Sequence, residues 1–426
     1  MNYHSLNNPN IKVSFKEATI TGIASDKGLY FPESIPQLES DFIENIDNYT
    51  PAEIALKAIT PFVGEEIPRD ELEKIVAETL SFDFPIVEVE PDVYALELFH
   101  GPTMAFKDVG ARFMSRCLNY FTGGEGNKIT ILVATSGDTG GAVASGFLGV
   151  EGINVVILYP SGKVSPVQEM QLTALGQNIT ALEVSGTFDD CQDMVKQAFL
   201  DEGLKHISLT SANSINIARW LPQMFYYFFA YKELKSKGKP IVVSVPSGNF
   251  GNICAGMMAK KIGLPISHFI ASTNANDTVP HFMQTQEYQP KPTVETLSNA
   301  MDVSNPSNFV RILELFGESL KEELTSYSFT DAQTLEAIKK LYTENNYLAD
   351  PHGAVGYLGL KQFLKDNPDH TGVFLETAHP VKFPGSIEKT LGITIPLPEQ
   401  LQEVMKGNKQ SIKISSYDDL KDFLKA

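Results

Sequence analysis

The chain has 426 residues, of which 42% are hydrophobic and 20% charged, enough for two or three soluble globular domains of roughly 100–200 residues each. Its net charge of −18 argues against nucleic-acid binding, because phosphate backbones are held by clustered Lys and Arg. No run approaches the ~20 apolar residues of a membrane span, and the opening MNYHSLNNPNIKVSFKE lacks the apolar core of a signal peptide, so a cytoplasmic protein with no membrane partner is expected.

In chain order, residues 1 to about 90 mix short strand-like pieces with two helical stretches, Pro51–Ile59 and Arg69–Val76, which reads as an accessory N-terminal domain. From about residue 91 short Val/Ile/Leu runs alternate with helices. The runs are Ile129–Val133, Asn154–Leu158, Thr180–Val184, Ile207–Leu209, Ile241–Val245, His268–Ile270 and Gly372–Leu375. That rhythm predicts an α/β fold with doubly wound, mostly parallel sheets covered on both faces, whose ligands sit beyond the carboxyl ends of the strands. The segment Ile215–Phe229 is apolar on nearly every side and predicts one buried helix. Cys117, Cys191 and Cys254 are far apart and without metal-ligand spacing, so buried reduced thiols are expected. The histidines show no metal-hydrolase spacing either.

Three stretches carry chemistry. Lys107 lies in Phe99-His100-Gly101-Pro102-Thr103-Met104-Ala105-Phe106-Lys107-Asp108, behind small and aromatic residues. Partial desolvation disfavours an ammonium and frees the amine to attack an aldehyde, the chemistry of a Schiff-base enzyme using pyridoxal phosphate. The plainer alternative is a surface lysine paired with Asp108. The run Ile129–Val133 leads into Thr135-Ser136-Gly137-Asp138-Thr139-Gly140-Gly141, and Ile241–Val245 into Ser247-Gly248-Asn249-Phe250-Gly251-Asn252, each followed by a helix start. Exposed N–H groups at a helix N-terminus receive anions, and glycine lets an anion approach the backbone. Neither loop ends in Lys-Ser or Lys-Thr and neither fits the dinucleotide fingerprint. One cradle for a cofactor phosphate and one for a substrate carboxylate would suit an amino-acid substrate.

The stretches LELFHGPTMAFKD, ATSGDTGGA, SANSINIAR, VPSGNFGN and ETAHPVKF, in that order from about residue 96 to about 383, together with the opening GIASDKGLYFPESIP, resemble the threonine synthases, which are fold-type II (tryptophan synthase β-like) pyridoxal-phosphate enzymes. After Pro384 no motif is found. The resemblance implies an accessory domain over 1–90, a large cofactor-binding domain over 91–110 and 236–426, and a small mobile domain over 111–235 that closes on substrate. It implies that Lys107 holds the cofactor, that Gly248, Asn249, Phe250, Gly251 and Asn252 form its phosphate loop, and that Thr377 meets the pyridine nitrogen. A neutral hydroxyl there makes a weaker electron sink than a carboxylate would. Thr135, Ser136, Asp138 and Thr139 are expected to receive the substrate carboxylate. Lys163, Asn216 and Arg219 are expected to receive its phosphate, Arg and Lys being natural partners of that group. The implied reaction turns O-phospho-L-homoserine and water into L-threonine and phosphate, in a monomer or homodimer and without a metal. A serine/threonine dehydratase or cysteine synthase would share the lysine and the glycine loops, and a non-catalytic binding protein would keep only the fold.

Overall fold

The computed structural model describes residues 1–123 and 128–426. In chain order its strands are β1 (Asn2–Ser5), β2 (Lys12–Ser14), β3 (Tyr30–Pro32), β4 (Ile86–Glu90), β5 (Val93–Glu97), β6 (Ile129–Ala134), β7 (Ile153–Pro160), β8 (Ile179–Val184), β9 (Ser208–Ser211), β10 (Ile241–Pro246), β11 (His268–Thr273), β12 (Leu324–Ser328), β13 (Thr371–Glu376) and β14 (Ile412–Ile414). They belong to two compact units. One comprises Met1, 31–106 and 220–395; the other 2–30, 107–219 and 396–426.

The first unit is built on a six-stranded sheet in the order β12-β11-β10-β13-β5-β4. It is parallel except for the β4–β5 hairpin at its edge. Its central strands β10 and β13 are buried at every position, the mark of a sheet covered on both faces. The helices of this unit have matching sequence signals. Helix Pro51–Val63 starts with a Thr50/Glu53 capping box and Pro at its first turn, and helix Pro351–Leu364 is capped by the Asp350 carboxylate.

The second unit holds a five-stranded parallel sheet, β14-β8-β7-β6-β9, flanked by helices Lys107–Thr122 and Asp138–Phe147. Those two cross closely: a Cβ at Gly146 would stand 3.1 Å from the backbone of Ala111. The antiparallel pair β1–β2 belongs to this unit as well.

The mixed, mostly parallel fold agrees with the strand rhythm of the sequence. By compactness, residues 31–106 group with the six-stranded sheet and 2–30 with the five-stranded one, and the C-terminal stretch 396–426 joins the latter, because β14 pairs with β8 in parallel register, Ile412 to Leu182 through Ile414 to Val184. The segment after Ser214 is also not one helix. It runs as a short helix Ile217–Trp220, a 3₁₀ turn Leu221–Met224 and a helix Phe225–Leu234. Pro222 supplies the break, since it has no N–H and its ring obstructs a regular helix. From Asn216 to Ala230 every residue is nevertheless buried, as the composition predicts. The three cysteines are free and buried.

Candidate active site

In the first unit three loops leave the carboxyl ends of three adjacent strands. Residues 247–252 follow β10, 377–379 follow β13 and 98–106 follow β5. This is where open α/β sheets bind ligands.

The 247–252 loop is held from outside, which leaves its helix-start N–H groups in place. Ser247 donates its N–H to the Ser272 carbonyl at 2.9 Å. A side chain on Gly248 would stand 2.7 Å from the Cα of Met301, so only glycine fits there. The Asn249 side-chain oxygen accepts the Ser307 N–H at 2.9 Å, and Asn252 reaches back to the Pro246 carbonyl at 2.9 Å. Phe250 takes a left-handed conformation, φ 60°, just before helix Gly251–Lys261. That is unusual for a bulky residue, and a left-handed residue turns successive N–H groups to one side to make an anion-binding concavity. The ring is 2% exposed and packs edge-on against Phe309, so burial stabilises the strained backbone.

Thr377 is 5% exposed, one residue beyond β13. Residues 98–106 are laced to it: Leu98 N–H donates to the Glu376 carbonyl, Phe106 N–H to the Thr377 carbonyl, and His379 N–H to the Met104 carbonyl, at 2.9, 2.9 and 3.0 Å. Ala105 and Ala378 form a β-bridge. Met104 is a second left-handed residue, φ 56°. His379 accepts the Val381 N–H on Nδ1 at 3.1 Å and meets Phe99 edge-on. Burial, with His100 nearby, pushes its pKa down to about 4, so it is a neutral turn-capping group.

In the second unit Lys107 is half-buried at the first position of helix Lys107–Thr122, followed by the buried Asp108. Again three loops leave adjacent parallel strands, 135–141 from β6, 161–165 from β7 and 212–219 from β9. The Thr135 hydroxyl accepts the N–H groups of Gly137 and Gly140, both at 2.9 Å, and so shapes the first loop from within. Asp138 is buried and accepts Gln168 Nε2 at 3.0 Å. Gly137, at φ 138°, lies where a Cβ would meet that same glutamine at 2.4 Å. Ser136 and Thr139 remain half-exposed at the start of helix Asp138–Phe147. Lys163 is exposed.

Arg219 is 2% exposed and donates through Nη1 to the Ala212 carbonyl. Its own carbonyl lies 2.6 Å from where a Cβ on Gly110 would stand, so it crosses the helix begun by Lys107 one turn along. Asn216, expected at the substrate phosphate, is buried and hydrogen-bonded within its surroundings. Its amide nitrogen donates to the Thr19 and Ser211 carbonyls at 2.9 and 3.2 Å, and its oxygen accepts the Ala218 N–H at 3.0 Å. In this structure it braces the turn that carries Arg219.

Sequence reasoning passed over two supporting residues. Lys382 is 0% exposed and donates Nζ to the Thr103 carbonyl at 2.8 Å, and the Tyr226 hydroxyl donates to the Phe106 carbonyl. Both brace the loop that ends at Lys107. A lysine in a motif followed by Phe was a signal for the first; nothing local marked the second among so many aromatics.

A pyridoxal-phosphate-dependent enzyme family model matches residues 80–375, a threonine synthase N-terminal model residues 2–80, and a threonine synthase C-terminal model residues 353–424. The threonine synthase of Haemophilus influenzae is 49% identical over 95% of this chain and 94% of its own length; that of Escherichia coli is 46% identical over 95% and 94%. The crystal structure of the Escherichia coli threonine synthase superposes with a TM-score of 0.94 at 44% identity, covering 100% of this chain and 99% of that one. A pyridoxal-phosphate-bound threonine synthase from Brucella melitensis gives 0.93 at 35% identity, covering 100% and 98%. The chain belongs to the threonine synthase family of pyridoxal-phosphate-dependent enzymes.

Proposed function

We propose that this chain converts O-phospho-L-homoserine and water into L-threonine and phosphate, the last step of threonine biosynthesis, as a carbon–oxygen lyase acting on a phosphate ester. One observation carries this reading. The match to threonine synthases runs through both ends of the chain, residues 2–80 and 353–424 included. The threonine deaminase and serine racemase structures, by contrast, share only the fold, at 14–16% identity over 72–76% of the chain.

The residues fit the cofactor by their donor chemistry. A left-handed turn at a helix N-terminus suits a phosphate, a buried hydroxyl at the end of β13 suits an unprotonated ring nitrogen, and a half-buried lysine suits an aldehyde. When bound, pyridoxal phosphate supplies the electron sink that makes protons next to the substrate's amino-bearing carbon removable. The chain's own residues do the rest. Lys107 holds the cofactor and then, as a neutral amine, takes the proton from Cα and returns protons along the side chain. Gly248, Asn249, Phe250, Gly251 and Asn252 fix the cofactor phosphate, and Thr377 keeps the ring nitrogen hydrogen-bonded without a charge. Thr135, Ser136, Asp138 and Thr139 orient the substrate carboxylate. Lys163 and Arg219 receive the substrate phosphate and stabilise it as it leaves Cγ, before water adds at Cβ. Asn216 serves this set as the brace of the Arg219 turn.

The same proposal places the protein in the cytoplasm as a monomer or homodimer with no nucleic-acid partner, in keeping with its net charge of −18. Among the described residues no helix is long and apolar enough to cross a membrane. The test is direct: purified protein with pyridoxal phosphate should release phosphate from O-phospho-L-homoserine in step with L-threonine formation. Deamination of serine or threonine without that activity would assign the chain to the dehydratase chemistry instead.

A further inference from the structure

Behind Thr377, on the first unit's sheet, lies a buried group of acids that the reaction as described does not use. Glu376, the last residue of β13, is 0% exposed. Its Oε2 accepts the Asp350 N–H at 3.3 Å, while its Oε1, also buried, has no hydrogen-bond partner among the described residues. The carboxyl is pressed against the start of helix Pro351–Leu364, where a Cβ on Gly353 would stand 2.0 Å from Oε1. Asp350, equally buried, already accepts from the N–H groups of His352 and Gly353, at 2.8 and 3.2 Å, and from His352 Nδ1 at 2.5 Å. His352 Nε2 accepts the Ala300 N–H, so Nδ1 is its donor.

Asp350 is therefore satisfied as a carboxylate. A second carboxylate beside it, out of water and without a cation of its own, would meet both desolvation and like-charge repulsion. Among the described residues no lysine or arginine is bonded to either carboxyl. Glu97 on β5 faces the pair, with its carboxyl bonded to the Tyr347 hydroxyl and to His100; His379 is neutral; the Lys382 ammonium donates to Thr103. A single proton shared by Glu376 and Asp350 satisfies the geometry.

We propose that Glu376 is a positioning residue that acts through Thr377: it is the neutral member of a one-proton carboxyl pair with Asp350, and it presents the Thr377 hydroxyl to the cofactor ring with no second negative charge behind it. The inference rests on the reading of Thr377 as the partner of the ring nitrogen. A charged Glu376 would raise the proton affinity of that nitrogen and undo what a neutral hydroxyl achieves. Burial, reinforced by Asp350, holds the Glu376 carboxyl well above the usual carboxylate range.

The experiment compares wild-type and Glu376→Gln holoenzymes by infrared spectroscopy and by the pH dependence of the cofactor's visible band. Glutamine keeps a neutral donor to Asp350. At neutral pH the wild type should show a protonated-carboxyl C=O stretch that Glu376→Gln loses. Its cofactor band should change as the pH rises through the ionisation of Glu376, and this alkaline change should be lost in Glu376→Gln. Absence of the carboxyl stretch from the wild type overturns the proposal, as does a stretch that is present while both proteins show the same pH dependence. Should Glu376→Gln not fold, infrared titration of the wild type with isotope-labelled glutamate reads the same proton. Thr377→Val separates the parent reading: a cofactor band unmoved in that variant, with the carboxyl stretch intact, removes Thr377 from the ring and the proposal with it.

Discussion

The N–H of Phe106 donates to the carbonyl of Thr377 at 2.9 Å, so the residue immediately before Lys107 is tied to the residue expected to meet the ring nitrogen. The Tyr226 hydroxyl takes the Phe106 carbonyl, which fixes this peptide from both sides. Residues 98–106 thus end in a rigid base.

The same base depends on Lys382. Lys382→Met keeps most of the buried volume but removes the donor to Thr103, which is itself 3% exposed. A buried hydrogen bond from a charged donor contributes about 1.5–3 kcal/mol. The urea midpoint should fall accordingly, and the variant should retain pyridoxal phosphate less tightly in a titration followed by visible absorbance. An unchanged midpoint together with unchanged cofactor affinity would show that the ammonium is not needed to hold the loop.

Lys107→Ala should abolish both turnover and the visible absorbance of bound cofactor while leaving the far-ultraviolet circular dichroism intact. Lys107 sits half-buried at the first turn of its helix, where alanine is at least as good a helix former. Borohydride reduction of the wild type followed by peptide mapping checks the attachment point. Label on a different lysine would reassign the cofactor.

How much of this was legible beforehand can be traced residue by residue. The strands from Ile129, Asn154, Thr180, Ile207, Ile241, His268 and Gly372 announced themselves because strands covered on both faces need apolar runs. The two glycine loops were visible because glycine is required where backbone meets backbone, as at Gly248 against Met301. β14 escaped because three residues, Ile-Lys-Ile, carry no periodicity to read, and its place beside β8 is decided by tertiary pairing. The left-handed backbones of Met104 and Phe250 were invisible for a different reason: neither residue type favours that conformation, and only the surrounding packing imposes it. The donors of Asn216 were evident in sequence, whereas the carbonyls of Thr19 and Ser211 that they meet were not, because tertiary packing alone brings them together.

The C-terminal stretch is joined to its sheet by charge as well as by β14. Lys409 bridges Glu169 and Glu183 at 2.7 and 2.9 Å, and Glu183 also accepts from Ser161 and Ser411. The Lys409 and Ser161 hydrogen bonds hold the Glu183 carboxyl down at about 2. A depressed carboxyl contributes stability that is present above its unfolded pKa, about 4.5, and is lost as the pH falls toward about 2. Lys409→Met should therefore lower stability most at neutral pH, by on the order of 1 kcal/mol since the lysine is partly solvated, and the gap should close on acidification through that window. Chemical denaturation at several pH values measures it. A gap that stays constant would place the effect in packing and not in charge.

Arg219 is the residue on which the substrate-phosphate assignment turns, because its burial admits two readings. It can clamp a phosphate, or it can serve the framework through its bond to Ala212 and its packing on Gly110. Arg219→Lys keeps the charge and loses the planar fork. If the fork holds phosphate, the loss of charge-assisted bonds of about 1.5–3 kcal/mol should raise KM for O-phospho-L-homoserine roughly 10- to 100-fold, with pyridoxal phosphate still bound. Gly110→Ala supplies the complementary test, since its new methyl must displace the Arg219 backbone and crowd Nε while the residue keeps its charge and its fork. A rise in KM in both variants, with folding intact, places the arginine at the substrate. Unchanged KM and kcat in Arg219→Lys would move the phosphate site elsewhere, and a variant that unfolds would identify Arg219 as a buried structural group whose charge is held by the protein itself.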